Sequence, residues 1–183
     1  MIIEDTFIDG LKILKPEPRR DDRGSFSRVL CMREMMDAGL DLSVRQVNNS
    51  ENRLAFTLRG MHWQTHPARE TKIVRVSKGE IQDVVVDLRP TSPTFLQHFS
   101  YVLDDHENEA LYIPPGMAHG FLTLANYTDV LYFLSNFYSK DAERGFRYDD
   151  QTVGIRWVAQ PMVISDRDRQ LPGFDFDAMA ELT

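Results

Sequence analysis

The sequence predicts an all-β fold, an antiparallel sandwich or barrel, on three observations. About ten short apolar segments recur at spacings of roughly 8–12 residues, as in β-sandwiches and barrels. Many of them alternate apolar and polar residues, the pattern of a strand with one buried face. Little helical sequence separates the segments. Successive short strands of this kind are typical of the two architectures.

The N-terminal part of the chain contributes three predicted strands and one helix. Pro16 and Pro18 end the first apolar segment, and a charged turn at 19–24 precedes the second. Residues 32–38 have helical character, and Gly39 after them is a typical helix stop. The strands are predicted at 6–14, 25–30 and 44–49, the last of them followed by a polar turn at 49–52.

Two strands in the middle of the chain are predicted to pair as a hairpin. Residues 71–77 and 80–88 flank a Lys78-Gly79 turn, which is a common hairpin signal. Beyond residue 138 the sequence becomes charged and irregular. The other predicted elements are a strand at 57–64, which an apolar run at 54–58 precedes, strands at 96–103, 110–113, 119–124 and 129–134, and a short helix at 175–182.

Composition limits the classes of function. The 183 residues favour one domain, and 42% hydrophobic with 27% charged residues is ordinary for a globular protein. The single cysteine, Cys31, excludes an intrachain disulfide and a Cys-based zinc site, which fits a reducing cytoplasm. The acidic N-terminus lacks signal-peptide features, and no apolar run approaches the roughly 20 residues of a membrane span. A net charge of −7 argues against nucleic-acid or membrane partners, so an anionic ligand needs a local cluster of cations.

The predicted strand at 57–64 carries three residues suited to chemistry. Arg59 suits a planar anion such as phosphate, because its fork donates two parallel hydrogen bonds. Gly60 allows another part of the backbone to come close. His62 is of the residue type that most often carries protons in catalysis. From this stretch alone, a barrel strand with a surface arginine and a hydrogen-bonded histidine is an equal alternative.

Two charges of opposite sign are predicted on apolar strand faces. Asp83 shares a face with Ile81 and Val85, and Lys72 shares a face with Val74. A charge on an apolar face costs free energy unless it is paired. The two residues therefore indicate a polar pocket in the barrel lumen. The alternative is that they pair with each other.

Three histidines and a glutamate resemble the two-part motif of the cupin superfamily, the small double-sheet barrels. His62, His66 and Glu70 would stand in its first part, and His119 follows a Pro-Pro-Gly turn in its second. Such ligands would suit Fe, Mn, Ni or Zn. The first part departs from the His-x-His of metal cupins, so we expect a site without a metal or other cofactor. A metal-dependent cupin isomerase stays open as an alternative.

Further segments carry a more specific resemblance. They include Asp-Arg-Gly-Ser-Phe at 22–26, Gln-Val-Asn-Asn-Ser at 46–50, Leu-Arg-Gly-Met-His-Trp-Gln at 58–64, Lys-Ile-Val-Arg-Val at 72–76, Ile-Pro-Pro-Gly-Met-Ala-His-Gly-Phe at 113–121 and Ser-Asp-Arg-Asp-Arg at 165–169. In order and in register, they resemble the motifs of the dTDP-4-dehydrorhamnose 3,5-epimerase family, a metal-free branch of the cupins.

The resemblance implies a cupin-type double-sheet antiparallel barrel (jelly roll) with short flanking helices, as one domain over residues 1–183. Strands within about 1–50 would contribute to a dimer, and an irregular or helical tail would cover about 139–183. The implied activity is that of an isomerase, an epimerase that inverts C3 and/or C5 of a nucleotide-linked 4-keto-6-deoxyhexose. Such sugars belong to deoxysugar, lipopolysaccharide and O-antigen biosynthesis in the cytoplasm.

This chemistry needs a base beside a carbon alpha to the ketone, a cation at the enolate oxygen and an acid on the opposite face. The resemblance assigns His62 as the base, with Asp168 as the carboxylate that holds it. Asp83 is a second candidate for that carboxylate. Lys72 is assigned to the enolate and Tyr132 to the acid.

The resemblance also assigns a nucleotide site. Arg23 and Phe26 come from an N-terminal segment that in this family reaches into the partner subunit, which implies a homodimer. Arg28 stands where the family has a glutamate near the thymine base, so CDP-, UDP- and GDP-linked sugars stay open. C3-only or C5-only inversion and a non-catalytic sugar-binding cupin are further alternatives. The remaining substrate-binding residues are Arg59, Gln46 and Asn48 at the diphosphate and His119 as a hydrogen-bonding support.

Overall fold

The computed structural model describes residues 1–40 and 42–176, which form strands joined by loops and two short helices. The predicted all-β class is confirmed. In the described part of the chain, neither helix has the length or apolar character of a membrane span. The elements are β1 Ile2–Asp5, β2 Lys12–Lys15, β3 Arg19–Asp21, β4 Gly24–Phe26, α1 Met32–Asp37, β5 Gln46–Asn52, β6 Thr57–Gln64, β7 Lys72–Lys78, β8 Glu80–Asp87, β9 His98–Asp104, β10 Ala110–Ile113, β11 Met117–Thr123, β12 Thr128–Leu134, β13 Glu143–Gly145, β14 Val163–Ile164 and α2 Asp166–Arg169.

Two sheets face each other around the main hydrophobic core. The first has the strand order β1-β2-β10-β7-β12-β5, and the second has the order β13-β6-β11-β8-β9. Neighbouring strands run antiparallel, except that β14 lies parallel to β6. Val74 and Val130 from the first sheet pack with Val85 and Phe121 from the second, and all four are fully buried. This is the predicted double-sheet barrel.

Each sheet is covered on its outer face by another segment. Helix α1 packs Met35 against Ile73 of the first sheet, and its predicted position before Gly39 is confirmed. On the second sheet, Trp63 packs against Phe146 with ring centroids 6.0 Å apart. The chain after β12, which carries Phe146, therefore covers the outer face of the second sheet.

The predicted hairpin at 71–88 is wrong. Strand β7 pairs with β10 and β12, whereas β8 pairs with β9 and β11 in the other sheet. Gly79 adopts φ +83 at the corner where the chain crosses between sheets, and a Cβ there would lie 2.5 Å from Thr128 Oγ1. A sharp turn with glycine occurs both in a hairpin and where the chain crosses from one sheet to the other. The local sequence therefore does not distinguish the two arrangements.

Several predicted strand boundaries also differ. Residues 49–52, predicted as a turn, continue β5 to Asn52, whose side-chain Nδ2 donates to Thr128 O at 3.1 Å. Strand β5 lies at a sheet edge and is largely exposed, which explains its polar sequence. The strands predicted at 6–14 and 25–30 correspond to the shorter strands β2 and β4 in the structure. The predicted helix at 175–182 lies almost wholly outside the described residues.

Asp87 at the end of β8 is expected to stabilise the fold in a pH-dependent way. Burial raises the pKa of this carboxyl, but hydrogen bonds from Arg89, Ser92 and Thr94 outweigh it and lower the pKa from 3.8 to about 2. A carboxyl whose pKa is lower in the folded than in the unfolded chain stabilises the fold. This stabilisation is fully present above the pKa of the unfolded chain and is lost as the pH falls through the pKa of the folded chain. A shift of this size corresponds to about 2 kcal/mol.

We therefore expect Asp87→Asn to lower the free energy of unfolding most above about pH 4, with the difference from wild type shrinking towards about pH 2. Urea denaturation of both proteins across this range measures it. Asp22→Asn removes an exposed carboxyl and serves as the control. A difference between Asp87→Asn and wild type that stays constant with pH would contradict the prediction.

Candidate active site

A cavity of about 350 Å³ opens between the two sheets. Its walls come from β5, β6, β7, β11 and β12, with α2 and the segment before it on one side. The structure thus brings together residues predicted from distant parts of the sequence. The predicted site residues that line it are Asn48, Arg59, His62, Lys72, His119, Tyr132 and Asp168.

A β-bulge places Arg59 and His62 in the same cavity. Residues three apart on a regular strand point to opposite faces. Here His62 lies opposite His119 of β11, but Arg59 lies opposite Phe121, so β6 holds one more residue than its partner strand. The extra residue restores both side chains to one side.

The close contact of β6 with β11 depends on glycine. Gly60 adopts φ +122, and a Cβ on it would lie 2.6 Å from the Gly120 Cα. This confirms the expectation that Gly60 allows a close backbone approach.

We expect Gly60→Ala to destabilise the protein by about 1–3 kcal/mol more than Gly24→Ala, because overpacking adds that much. Gly24 has a nearly identical φ of +124, but no atom lies within 4 Å of its Cβ position. The pair thus separates steric conflict from backbone strain. Urea denaturation midpoints measure the difference. Equal midpoints for the two variants would show that β6 and β11 move apart without a loss of stability.

His62 and Asp168 form a hydrogen-bonded pair. The His62 Nε2 lies 2.8 Å from Asp168 Oδ1, and the Gly60 N–H donates to Asp168 Oδ2 at 3.3 Å. Burial raises the pKa of Asp168, but the bond and charge of His62 together with the Gly60 N–H outweigh it and lower the pKa. Ser165 caps α2 by accepting the Asp168 N–H at 3.1 Å, which orients the carboxylate. An ionised Asp168 favours a proton on Nε2 and leaves the Nδ1 lone pair free to accept another.

Asp83 pairs with neither of its two predicted partners, His62 and Lys72. Its Oδ1 lies 2.6 Å from His119 Nε2, and both side chains are buried. It therefore neither holds His62 nor pairs with Lys72. Asp83 Oδ2 is buried without a hydrogen-bond partner in the described residues. The histidines of the two histidine–carboxylate pairs thus lie opposite each other on the neighbouring strands β6 and β11.

Tyr132 faces the cavity from the opposite sheet. Its ring meets His119 edge-on, with centroids 5.9 Å apart. Burial, with the negative charge of Asp83, raises the pKa of the Tyr132 phenol well above its usual value, and Arg59 opposes this only in part. The phenol therefore keeps its proton at neutral pH.

Cations and amides lie around the same space. Lys72 Nζ lies 3.3 Å from Glu70 Oε1. The Arg59 Nε donates to Asn52 Oδ1 at 2.8 Å, which holds the guanidinium at the cavity wall. Gln46 does not line the cavity; its Oε1 accepts the Tyr138 N–H at 2.6 Å and so ties down the loop after β12.

A polar cluster of three residues that line the cavity, Tyr138, Glu143 and Arg167, is not among the predicted site residues. The Tyr138 hydroxyl donates to Glu143 Oε2 at 2.7 Å, and Arg167 forms an ion pair with the same carboxylate. Burial raises the pKa of Glu143, but these two partners outweigh it and lower the pKa. Tyr138 lies in a loop, Glu143 begins the short strand β13, and Arg167 lies on α2. Arg167 stands in the Ser-Asp-Arg-Asp-Arg motif, but the resemblance gives it no role, and no strand periodicity marks the other two.

Besides Gln46 and Asp83, three more predicted site residues do not line the cavity of this chain: Arg23, Phe26 and Arg28. Arg23 pairs with Asp21 at 2.6 Å on the β3–β4 hairpin, and Arg28 forms an ion pair with Glu34. The Phe26 side chain is 79% exposed on the same hairpin. Within residues 1–40 and 42–176, no group of three His, Cys, Asp or Glu side chains is placed to hold a metal ion. His66, considered as a ligand, is exposed and does not line the cavity.

Comparison with known proteins shows the family. The model of the dTDP-4-dehydrorhamnose 3,5-epimerase family matches residues 5–175. The dTDP-4-dehydrorhamnose 3,5-epimerase of Salmonella typhimurium is 34% identical over 183 residues, covering 99% of this chain and 100% of that protein.

Solved structures agree with the sequence comparison. The Bacillus anthracis dTDP-4-dehydrorhamnose 3,5-epimerase with TDP and PPi bound superposes with a TM-score of 0.92 at 37% identity, covering 94% of this chain and 99% of that one. A 3'-monoepimerase from Streptomyces bikiniensis in complex with dTDP-quinovose superposes with a TM-score of 0.85 at 30% identity, covering 96% of this chain and 87% of that one. The chain therefore belongs to the dTDP-4-dehydrorhamnose 3,5-epimerase family and is an isomerase, one of the epimerases that act on carbohydrates.

Proposed function

We propose that this protein inverts C3 and C5 of a dTDP-linked 4-keto-6-deoxyhexose. The observation that carries the proposal is that His62 and Tyr132, the candidate base and acid, line one cavity from opposing sheets. His62 stands on β6 of the second sheet, and Tyr132 stands on β12 of the first. A sugar ring held between them would expose one face to each, as inversion requires.

The reaction starts with proton removal next to the ketone. The C–H bond breaks, its proton passes to His62 Nδ1, and the electron pair moves to the carbonyl oxygen as an enolate. Asp168 holds the ring and stabilises the imidazolium that forms. Lys72 stabilises the enolate oxygen, since a fixed cation in a site shielded from water acts strongly on developing charge.

Reprotonation from the other side completes the inversion. The enolate electron pair returns to carbon and takes the proton of the Tyr132 hydroxyl. The position of Tyr132 on the sheet opposite His62 supports this role, because both side chains line the same cavity. His119, fixed by Asp83, is placed to hydrogen-bond the substrate beside Tyr132.

Arg59 and Asn48 are the groups we assign to the diphosphate. Both line the cavity, and the guanidinium is held by Asn52. In a chain with a net charge of −7, a fixed local cation is what draws an anion to this position. Gln46 supports this end through the loop that carries Tyr138.

The active form is proposed to be a homodimer in which the β3–β4 hairpin completes the partner's site. Phe26 is an aromatic side chain that is largely exposed, and Arg23 beside it supplies a cation. Arg28 would alter recognition of the base, because it supplies hydrogen-bond donors where a glutamate supplies acceptors. The single cysteine fits the proposed cytoplasmic location.

Mixing two inactive variants tests the shared site. His62→Ala chains keep the hairpin, and Phe26→Ala chains keep the base, so a hybrid dimer has one complete site. We expect a mixture that has exchanged subunits to recover activity that neither variant shows alone. Mixtures of His62→Ala with Asp168→Asn serve as the control, since both changes lie in the main body of the site. No recovery after proven subunit exchange would overturn the shared site.

The activity itself is tested in D₂O with dTDP-, UDP-, CDP- and GDP-linked 4-keto-6-deoxyhexoses, followed by NMR. We expect deuterium at C3 and C5 of the dTDP sugar. Deuterium at C3 alone would favour the second candidate, a 3-epimerase, the activity named for one structural relative. Preference for another nucleotide would replace dTDP as the proposed carrier of the sugar. No incorporation into any sugar would overturn the proposal.

A further inference from the structure

Glu70 is a buried cavity residue that the proposed mechanism leaves without a role. It precedes β7 and lines the cavity beside Lys72. The Glu70 side chain is 8% exposed and that of Lys72 is 11% exposed. A carboxylate this deep costs free energy unless charge and hydrogen bonds compensate it. Its partners therefore indicate what it does.

Gln64 is the second partner, and its orientation is fixed by the backbone around it. The Ser139 N–H donates to Gln64 Oε1 at 2.7 Å. On its other side, Gln64 Nε2 donates to Ala68 O at 3.1 Å and to Glu70 Oε2 at 3.0 Å. A flipped amide would face donors with its nitrogen and acceptors with its oxygen. Gln64 therefore always presents an N–H to Glu70.

Position 70 consequently needs an acceptor on each of its two oxygens. One oxygen faces the Gln64 amide nitrogen, and the other faces the Lys72 ammonium. A carboxylate meets both requirements, whereas a carboxamide would turn its own N–H₂ towards one of the two donors. Within the described residues, Lys72 has an ion pair with Glu70 alone.

We propose that Glu70 is a positioning residue that holds the Lys72 ammonium at the enolate oxygen, with Gln64 as its support. Because Gln64 also binds Ser139, the same network fixes the loop that carries Tyr138. The assignment of the enolate to Lys72 rests on the proposed function. The positioning of Lys72 by Glu70 rests on the contacts themselves.

Two other roles for Glu70 do not fit these contacts. As a general base it would need a free oxygen, yet both oxygens face donors. As a metal ligand it would need neighbouring imidazoles. The closest candidates, His62 and His119, are each bound to a carboxylate of their own, at 2.8 and 2.6 Å.

The kinetic test compares Glu70→Gln, Lys72→Met and the double variant. Losing one group that stabilises an oxyanion typically costs ~10²–10³ in kcat, and we expect this of Lys72→Met. Glu70→Gln is expected to lower kcat about 10-fold with little change in KM, because the misplaced cation acts only as the enolate forms. In the Lys72→Met background, Glu70→Gln should cause no further loss.

A matched control exists elsewhere in the fold. Glu109 is also a poorly exposed glutamate beside a lysine, 3.6 Å from Lys15 Nζ, but it lies outside the cavity. Glu109→Gln should leave kcat unchanged. A wild-type kcat for Glu70→Gln, or an equal loss with and without Lys72, would overturn the proposal.

A spectroscopic measurement separates this proposal from the epimerase assignment. In ¹⁵N-labelled protein without substrate, a held Lys72 ammonium should give a resolved ¹H–¹⁵N signal, assigned by its absence in Lys72→Met. The signal should be lost in Glu70→Gln and kept in Glu109→Gln. Its persistence in Glu70→Gln would overturn the positioning role, whereas wild-type protein inactive on every nucleotide sugar would overturn the proposed function alone.

Discussion

Replacing His62 by alanine is expected to abolish deuterium exchange at both C3 and C5 while nucleotide binding stays nearly intact. The imidazole is the proposed proton acceptor, and its Nε2 lies 2.8 Å from Asp168 Oδ1. Removal of a general base typically costs ~10²–10⁴ in rate. Arg59 and Asn48, the residues we propose for diphosphate binding, lie elsewhere on the cavity wall. NMR of the sugar protons in D₂O and calorimetric titration with dTDP measure the two effects separately.

Asp168→Asn is the informative companion to this variant. It keeps the shape of the pair but removes the charge that stabilises the imidazolium, so exchange should fall strongly with unchanged dTDP affinity. Because the lowered pKa of Asp168 reflects the contact with His62, the two losses should not add in the double variant. Exchange that persists in His62→Ala would remove His62 as the base.

Replacing Tyr132 by phenylalanine is expected to separate proton exchange from inversion. His62 still removes the proton and returns a deuteron to the same face, so label enters the substrate. The opposite face has lost its donor, and the inverted product should form ~10²–10⁴ times more slowly. Time courses of deuterium incorporation and of product formation, followed in one NMR sample, measure the two rates.

The matched control is Tyr127→Phe, because Tyr127 is an exposed tyrosine outside the cavity. Its variant should exchange and invert at wild-type rates. If Tyr132→Phe inverted the sugar at the wild-type rate, the acid would have to be another group. Loss of exchange and inversion to the same extent would instead show that the phenol acts in substrate placement.

Strand alternation predicted the faces of β8 correctly. Ile81 and Val85 lie in the core between the sheets, and Val84 and Val86 lie in the outer cluster. The period of two is a property of the backbone and needs no knowledge of the partner strands. The pairing partners themselves are set by the whole barrel, which is why β7 and β8 were placed in one hairpin although they belong to different sheets.

The candidate site was predictable only where a motif marked it. His62 and Asp168 are 106 residues apart, and their pairing was expected from the family resemblance, not from periodicity. Asp83 was correctly placed on an apolar face, but its partner His119 depends on the register of β8 with β11. Glu143 of β13 and Arg167 of α2 meet only because the chain after β12 folds back over the barrel, so nothing in the local sequence indicates their contact.

The separation of His62 from Asp168 has a consequence for how the protein matures. The ribosome completes the barrel strands through β12 well before it makes residue 168. Until then, His62 lacks its carboxylate, although His119 already has Asp83 within the barrel. In a nascent chain, the cavity between the two sheets would therefore form before the His62–Asp168 pair. That pair would form in one late step, when the segment bearing α2 docks against β6.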